Sequence, residues 1–279
     1  LMDGSFLAEP APGLWLLMID ANVFVPREEG FVDSTNAGWN AMVEHKGFIL
    51  RWMKDVARRA RENGKRILTF SHYPAIDMLN GTGADERLLI GHTAAIRRTP
   101  WPATARAVMK TGIGVHFSGH VHINDTARVA SGEDWLVNIG VPSLVAFPPA
   151  FKTVHLEDDA LRIETVPLDG LARDGVLAEL YRRELSVTGK KFGSLIDAPD
   201  YGAFLWEHVS QLVVHRYLRK EWPQDLAARI KAMTLADMAV LAGGEASDAM
   251  RAISLVEMLG DWYGLRKGRE MALERIGAR

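Results

Sequence analysis

Histidines are the residues of this chain whose number and spacing point to chemistry. Five of the nine lie between positions 72 and 122, and the stretch SGHVH places His120 and His122 two residues apart. In an extended chain, side chains two residues apart point to the same side, and Gly119 before them allows a tight turn. His72 follows the apolar run ILTFS in the same manner. Because neutral imidazoles that meet in one crevice bind transition metals, these three histidines predict a metal site.

The segments that precede these histidines have the composition of buried strands. Parallel strands of an α/β fold bring their carboxyl ends to one edge of the sheet, where ligands bind. We therefore also take Asp20 and Asn22, which close the first strand, as candidate substrate-binding residues, and we add His92 as a further candidate substrate contact. The alternative is that Asp20 caps a turn, that Asn22 adopts a left-handed conformation, and that His92 only packs. The three predicted strands are GLWLLMID (13–20), KRILTFSHYP (65–74) and TGIGVHFSGHVH (111–122).

Helical periodicity appears between the predicted strands. Residues 47–64 place apolar side chains at helical intervals, with Gly64 at the position of a C-cap. Residues 84–111 predict further helices, with a proline opening the second of them. Residues 21–46 show no clear period and are rich in Gly, Asn and Pro, so we expect a long loop there.

The second half of the chain changes character twice. Residues 126–166 alternate apolar and polar side chains, which predicts an antiparallel meander packed on one face. From residue 171 onward the pattern is helical throughout, and Thr234 with Asp237 resembles a capping box. The predicted fold class is α/β, with a sheet domain over residues 1–170 and a helical extension over residues 171–279.

Composition excludes several classes of site and partner. The 279 residues carry a net charge of −2 and no cysteine, which excludes disulfides, thiolate metal sites and a broad basic surface for nucleic acid. No apolar run approaches the length of a membrane span. The absence of a signal-like segment favours a cytoplasmic protein, although the chain begins with Leu1 rather than methionine, which is compatible with a longer precursor.

The strand ends resemble those of the calcineurin-like metallophosphoesterases. FSHYP (70–74) is similar to the fourth motif of that family and SGHVH (118–122) to the fifth, and the likeness covers residues 13–166. The resemblance implies a metallophosphoesterase-type αββα sandwich and two divalent ions of Mn, Fe, Zn or Ni. His72 and His120 would bind one ion, and His122 the other. Hydrolysis of a phosphomonoester or phosphodiester would proceed by attack of a metal-bound hydroxide.

The three earlier motifs of that family, Asp-x-His, Gly-Asp and Gly-Asn-His, are absent from this chain. They supply the carboxylate and asparagine ligands and the histidine that assists the leaving group, so the catalytic residues are not identified. We therefore expect the C-terminal part of a dinuclear phosphoesterase, carrying a partial domain over residues 1–170. As a fragment, it would bind metal weakly and hydrolyse little.

Two other readings stay open at this stage. One is a non-catalytic binding or scaffold protein that retains a degenerate metallophosphoesterase fold. The other is a mononuclear histidine site with unrelated chemistry. Ser71 and Ser118 precede histidine motifs but lie in no Gly-x-Ser-x-Gly elbow, which argues against a serine hydrolase. The apolar positions of the helical extension allow packing on the sheet domain or on a second copy, so a homo-oligomer is a further possibility.

Overall fold

The computed structural model of this chain consists of two compact units, residues 1–141 and residues 142–279. The domain boundary predicted at residue 170 stays a prediction. His92 lies outside the described residues. The structure describes residues 3–28, 30–33, 38–79, 81–91, 93, 96, 98–172, 174–189, 193–267 and 274–277.

A six-stranded sheet with the order β1-β2-β5-β6-β8-β7 forms the centre of the first unit. The four inner strands are parallel, and the two edge strands run antiparallel to their neighbours. A two-stranded hairpin, β3–β4, lies outside this sheet. The strands are β1 (Phe6–Ala11), β2 (Leu14–Ile19), β3 (Phe24–Arg27), β4 (Gly30–Asp33), β5 (Arg66–Ser71), β6 (Val115–Ser118), β7 (Thr126–Ser131) and β8 (Asp134–Gly140).

Helices supply the core that covers one face of this sheet. Those of the first unit include α1 (Gly38–His45), α2 (Gly47–Glu62), α3 (Gly83–Ile90) and α4 (Pro102–Met109). The apolar side chains of α2 recur at helical spacing, so they form one buried stripe that joins Trp15, Leu17 and Ile19 of β2 in a single hydrophobic cluster. The predicted strands at 13–20, 65–74 and 111–122 and the predicted helix at 47–64 are confirmed, with shorter bounds.

Two predictions for this unit are wrong. Residues 21–46 are not a long loop but contain the hairpin β3–β4 and helix α1. The sequence did not indicate them because elements of four to eight residues are too short to show a clear period. Residues 126–166 do not form one antiparallel meander. Strand β8 pairs with β7 in antiparallel register, as expected, but it also pairs with β6 in parallel and is buried on both faces, and β9 and β10 belong to another sheet. The polar residue Asn138 within β8 imitates the alternation of a half-exposed strand, although its side chain is fully buried.

The second unit combines a small antiparallel sheet with helices. Its sheet has the order β11-β10-β9, and the turn between β9 and β10 contains Asp158 and Asp159, as predicted. Strand β11 corrects the expectation that the chain is helical to its end. The elements are β9 (Ala150–Leu156), β10 (Ala160–Pro167), α5 (Gly175–Thr188), α6 (Gly193–Asp197), α7 (Tyr201–Leu212), a π-helix (Val213–Glu221), α8 (Gln224–Ala232), α9 (Leu235–Leu241), α10 (Asp248–Arg251), α11 (Leu255–Leu265) and β11 (Glu274–Gly277).

Capping boxes begin two helices of the second unit. The capping box predicted from Thr234 and Asp237 is confirmed at the start of α9, and Ser254 with Glu257 forms a second one at α11.

In the part of the chain that the structure describes, no helix combines the length and apolar character that crossing a bilayer requires. The fold class is therefore mixed α/β, with a mostly parallel sheet and a largely helical C-terminal part.

The two faces of β2 offer a test of which side of the sheet carries the core. Leu17 is fully buried under the helices, whereas its neighbour Leu16 is half-buried on the opposite face. We expect Leu17→Ala to lower the free energy of unfolding by about 3 kcal/mol and Leu16→Ala by about 1 kcal/mol or less. Urea unfolding measures both. Equal losses would mean that the two faces are covered alike.

Candidate functional site

The parallel register of β5 and β6 places the histidine motifs together. Ser71 at the end of β5 pairs with Ser118 at the end of β6. The chain then continues into His72 on one strand and into Gly119 on the other, and the backbone N–H of Gly119 donates to the carbonyl oxygen of His72 at 3.1 Å. Since the carboxyl ends of parallel strands share one edge, the two motifs enter the same space.

His72 and His120 contact each other directly. The Nε2 atom of His72 lies 3.0 Å from the Nδ1 atom of His120, and the two rings meet edge to face with their centroids 5.0 Å apart. The Tyr73 ring packs against both imidazoles, with its centroid 5.0 Å from that of His72 and 4.8 Å from that of His120. The ring nitrogens of these two histidines therefore converge, as the sequence predicts.

The backbone at His120 and His122 differs from the predicted extended chain. Both residues have positive φ angles, 65° and 53°, and no other non-glycine residue in the described ranges does. The N–H of Val121 donates to the carbonyl oxygen of Gly119 at 2.8 Å, which closes a γ-turn centred on His120. A γ-turn with positive φ is the rarer and more strained form. The tight turn expected at Gly119 therefore falls on the two histidines themselves.

Burial and a nearby cation keep these imidazoles neutral. Desolvation, followed by the charge of Arg98 and the proximity of His72 and His122, lowers the pKa of His120 to about 3. Desolvation and then Arg98 also lower the pKa of His72. An Nη atom of Arg98 lies 3.0 Å from Nε2 of His120, and the guanidinium lies 5.7 Å from the centre of the Tyr73 ring. Neutral imidazole is the form that binds a metal ion.

A buried hydrogen-bonded chain runs beneath the site. The fully buried ring of His116 places Nε2 2.8 Å from Ser71 Oγ and Nδ1 2.6 Å from Asn138 Oδ1. The Asn138 side chain donates to Ser118 Oγ at 2.9 Å and accepts from the backbone N–H of Ala75 at 2.8 Å. We call these five residues the polar clamp. It joins β5, β6, β8 and the loop that follows His72.

The order Ser71, His116, Asn138 resembles a nucleophile, a base and an orienting residue. Ser71 Oγ, however, has two further partners. It donates to the carbonyl oxygen of Tyr73 at 2.8 Å and accepts from Trp39 Nε1 at 3.1 Å. Three polar partners thus engage this one hydroxyl, and the ring of His116 is fully buried. These contacts tie the end of β5 to the loop, so the clamp positions the loop.

An apolar groove lies on the face of the sheet opposite the helices. It has a volume of about 400 Å³, and the rings of Phe70 and Phe117 stack along it with centroids 5.1 Å apart. Phe6 at its rim is 54% exposed. His72 and Asp20 line the same groove. An apolar surface with two polar side chains at one end is the usual composition of a ligand-binding cleft.

Asp20 and Asn22 form a local turn. Oδ1 of Asp20 accepts from the backbone N–H of Asn22 at 3.1 Å and from its side-chain amide at 2.9 Å. Asn22 is exposed, and its φ is not positive, so the left-handed conformation of the alternative reading is wrong. Asp20 thus caps a turn and also lines the groove. The substrate-binding role of both residues stays a prediction.

The histidine pair supplies part of a ligand set for one ion. Two nitrogens 3.0 Å apart can both lie about 2.1 Å from one ion, with an angle of about 90° at the metal. Within the described ranges, however, no group of three or more His, Asp or Glu side chains is placed to hold an ion. The described residues therefore provide two convergent ligands and do not complete a dinuclear centre.

The chain was compared with family models and with curated proteins. No family model matches the chain, and none of the curated proteins matches it. The resemblance to metallophosphoesterases therefore depends on the two histidine motifs and their placement.

Some residues of the site carry a signal in the sequence and others do not. Asn138 is the one polar residue within the apolar run WLVNIGV, and a polar side chain inside a buried strand indicates a specific hydrogen-bonding role. Arg98 has no such signal, because nothing in the residues around it indicates a partner, and only the tertiary structure brings it to His120. Sequence reasoning missed both residues.

The polar clamp makes stability depend on pH. Burial lowers the pKa of His116 to about 4, from about 6.5 in the unfolded chain. As the pH falls from 6.5 to 4, His116 takes up a proton in the unfolded chain but stays largely neutral in the folded protein. His116 should therefore reduce the free energy of unfolding by about 3 kcal/mol over that window, with little further loss below it.

Urea unfolding at a series of pH values measures this effect as a difference between the wild-type protein and His116→Gln. The variant lacks the titrating ring, so its stability should vary less between pH 6.5 and pH 4. Parallel curves for the two proteins would show that His116 titrates alike in the folded and unfolded states.

Proposed function

We propose that the first unit carries the histidine side of a metallophosphoesterase centre that acts on a phosphomonoester or a phosphodiester. His72 and His120 bind one divalent ion through Nε2 and Nδ1, and His122 contributes to a second. The remaining ligands come from groups other than the described residues of this chain. The observation that carries the proposal is the 3.0 Å approach of those two nitrogens at the ends of adjacent parallel strands.

Backbone strain supports a functional role for the loop. Residues with positive φ other than glycine cost on the order of 1–3 kcal/mol and concentrate at active sites and ligand clamps. Here the strain falls on His120 and His122, the two histidines of the SGHVH stretch. Glycine adopts such angles without the steric strain that a side chain causes, so the imidazoles at these positions are retained in spite of that strain.

The two faces of the sheet support the finer fold assignment. In an αββα sandwich, two sheets pack face to face and helices cover their outer sides. Helix α2 covers one face of the sheet of the first unit, and the other face carries the apolar groove with Phe6, Phe70 and Phe117. An apolar face of this kind is what a second sheet would cover in such a sandwich.

Each residue of the site has a definable contribution. A divalent ion bound here would stabilise negative charge on phosphoryl oxygens. His72 and His120 would hold that ion with neutral ring nitrogens. Tyr73 packs against both imidazoles, and Arg98 places a cation beside His120. The polar clamp fixes the strand ends, so the two nitrogens stay close without a further ligand.

The second candidate function is a non-catalytic binding protein with the same fold. It is favoured by the finding that, in the described ranges, no three His, Asp or Glu side chains are placed to hold an ion together. The two candidates differ in whether these histidines bind a metal ion at all, which can be measured directly.

Metal affinity tests the proposal. We expect the chain to bind Mn²⁺ weakly, and His72→Ala and His120→Ala each to weaken that binding at least about ten-fold, since each removes a direct ligand. His45→Ala is the matched control, because His45 is an exposed histidine of α1 in the same unit. Isothermal titration calorimetry gives the constants. Identical binding by all four proteins would favour the non-catalytic reading.

Hydrolysis provides an independent check. Because the described residues lack the carboxylate ligands of a two-ion centre, we expect this chain alone to hydrolyse bis(p-nitrophenyl) phosphate with Mn²⁺ no more than about ten-fold above buffer with Mn²⁺. The release of p-nitrophenolate is followed by absorbance. Robust hydrolysis that His120→Ala abolishes would show that the chain completes the centre by itself.

A further inference from the structure

Arg98 determines where His120 carries its proton. A guanidinium only donates hydrogen bonds, so Nε2 of His120, 3.0 Å from an Nη atom of Arg98, must accept. A neutral imidazole has one N–H, which therefore lies on Nδ1 and donates to Nε2 of His72, also at 3.0 Å. The depressed pKa values of both histidines agree with this neutral arrangement.

This hydrogen-bonded arrangement leaves His120 no lone pair for a metal ion. Binding through Nε2 would displace Arg98 directly. Binding through Nδ1, beside His72, would require the proton to move to Nε2, where its N–H would face the N–H groups of Arg98. Two donors cannot share a hydrogen bond, so either mode of binding expels the guanidinium.

We propose that Arg98 and a divalent metal ion compete for His120, so that metal binding releases the guanidinium. This inference rests on the proposed function, because it concerns the same pair of histidines. When the ion binds through Nδ1, the proton of the imidazole moves from Nδ1 to Nε2 through solvent. When the ion binds through Nε2, the proton stays on Nδ1. No proton is gained or lost in either mode. The apparent metal affinity is therefore the intrinsic affinity multiplied by the fraction of molecules in which Arg98 does not occupy His120.

The Tyr73 ring gives the released side chain a place beside the site. The guanidinium already lies 5.7 Å from the centre of that ring, within the range of a cation–π contact. The side chain can therefore leave His120 without leaving the site. Arg98 then keeps the aromatic face as a partner when it leaves the nitrogen atom of His120.

Metal titration of Arg98→Met measures the competition. The methionine keeps much of the apolar length of arginine and removes its donors, so we expect Mn²⁺ to bind at least about ten-fold more tightly than to the wild-type protein. Arg128→Met, which removes an exposed arginine of β7 in the same unit, should leave the constant unchanged within about two-fold.

The position of the proton separates competition from simple charge repulsion. Long-range ¹H–¹⁵N correlation spectra of chelator-treated protein, labelled at histidine, report which nitrogen carries hydrogen. We expect the Nδ1–H form for His120 in the wild-type protein and a rise in the Nε2–H form in Arg98→Met. Assignment uses the signals missing from His120→Gln. Repulsion alone would change the metal constant and leave the tautomer as it is.

The outcomes distinguish the two proposals. If the wild-type protein binds Mn²⁺ and Arg98→Met binds it no more tightly, the exchange is wrong and the metal site stands. An Nε2–H form of His120 in the wild-type protein overturns the exchange in the same way. If neither protein binds Mn²⁺, the proposed function is wrong and the exchange with it.

Discussion

The register of β5 against β6 is the constraint on which the site depends. With Ser71 opposite Ser118, the next turn of each chain brings His72 and His120 to one point, and a shift of one residue would separate them. The polar clamp holds this register through the buried ring of His116 and its hydrogen bonds to neighbouring strands. Each such bond contributes about 0.5–1.5 kcal/mol, so the clamp is comparable in size with the strain of about 1–3 kcal/mol in the loop.

Burial acts on the histidines in two different ways. For His116 it fixes a neutral ring whose two nitrogens are both satisfied inside the protein, so the ring is structural. For His120 it lowers the pKa while leaving one side of the ring beside Arg98 and His72. A ring that is neutral and partly accessible is suited to binding, whereas a ring that is fully enclosed by its partners is not. The difference between these residues is one of surroundings and not of residue type.

The sequence predicts the strands of the parallel sheet and the long helix because long apolar periods dominate those segments. It also predicts that His72 and His120 converge, since strand ends of a parallel sheet share an edge. It does not predict the γ-turn at His120, because the extended spacing of His-x-His and a left-handed turn read alike in the sequence. Strand β8 and Asn138 show the same limit, since a buried polar residue and a solvent-facing one produce the same alternation.

His72 belongs both to the histidine pair and to the lining of the apolar groove. Tyr73 and Arg98 flank the histidine pair, and His72 lines the end of the groove where Asp20 also lies. Asp20 uses Oδ1 in a turn, and a carboxylate retains further acceptor capacity on its second oxygen. For the proposed centre, Asp20 is a carboxylate that lines the same groove as His72. Because Phe6 and His72 both line this groove, an element that covered the apolar surface would also lie against His72.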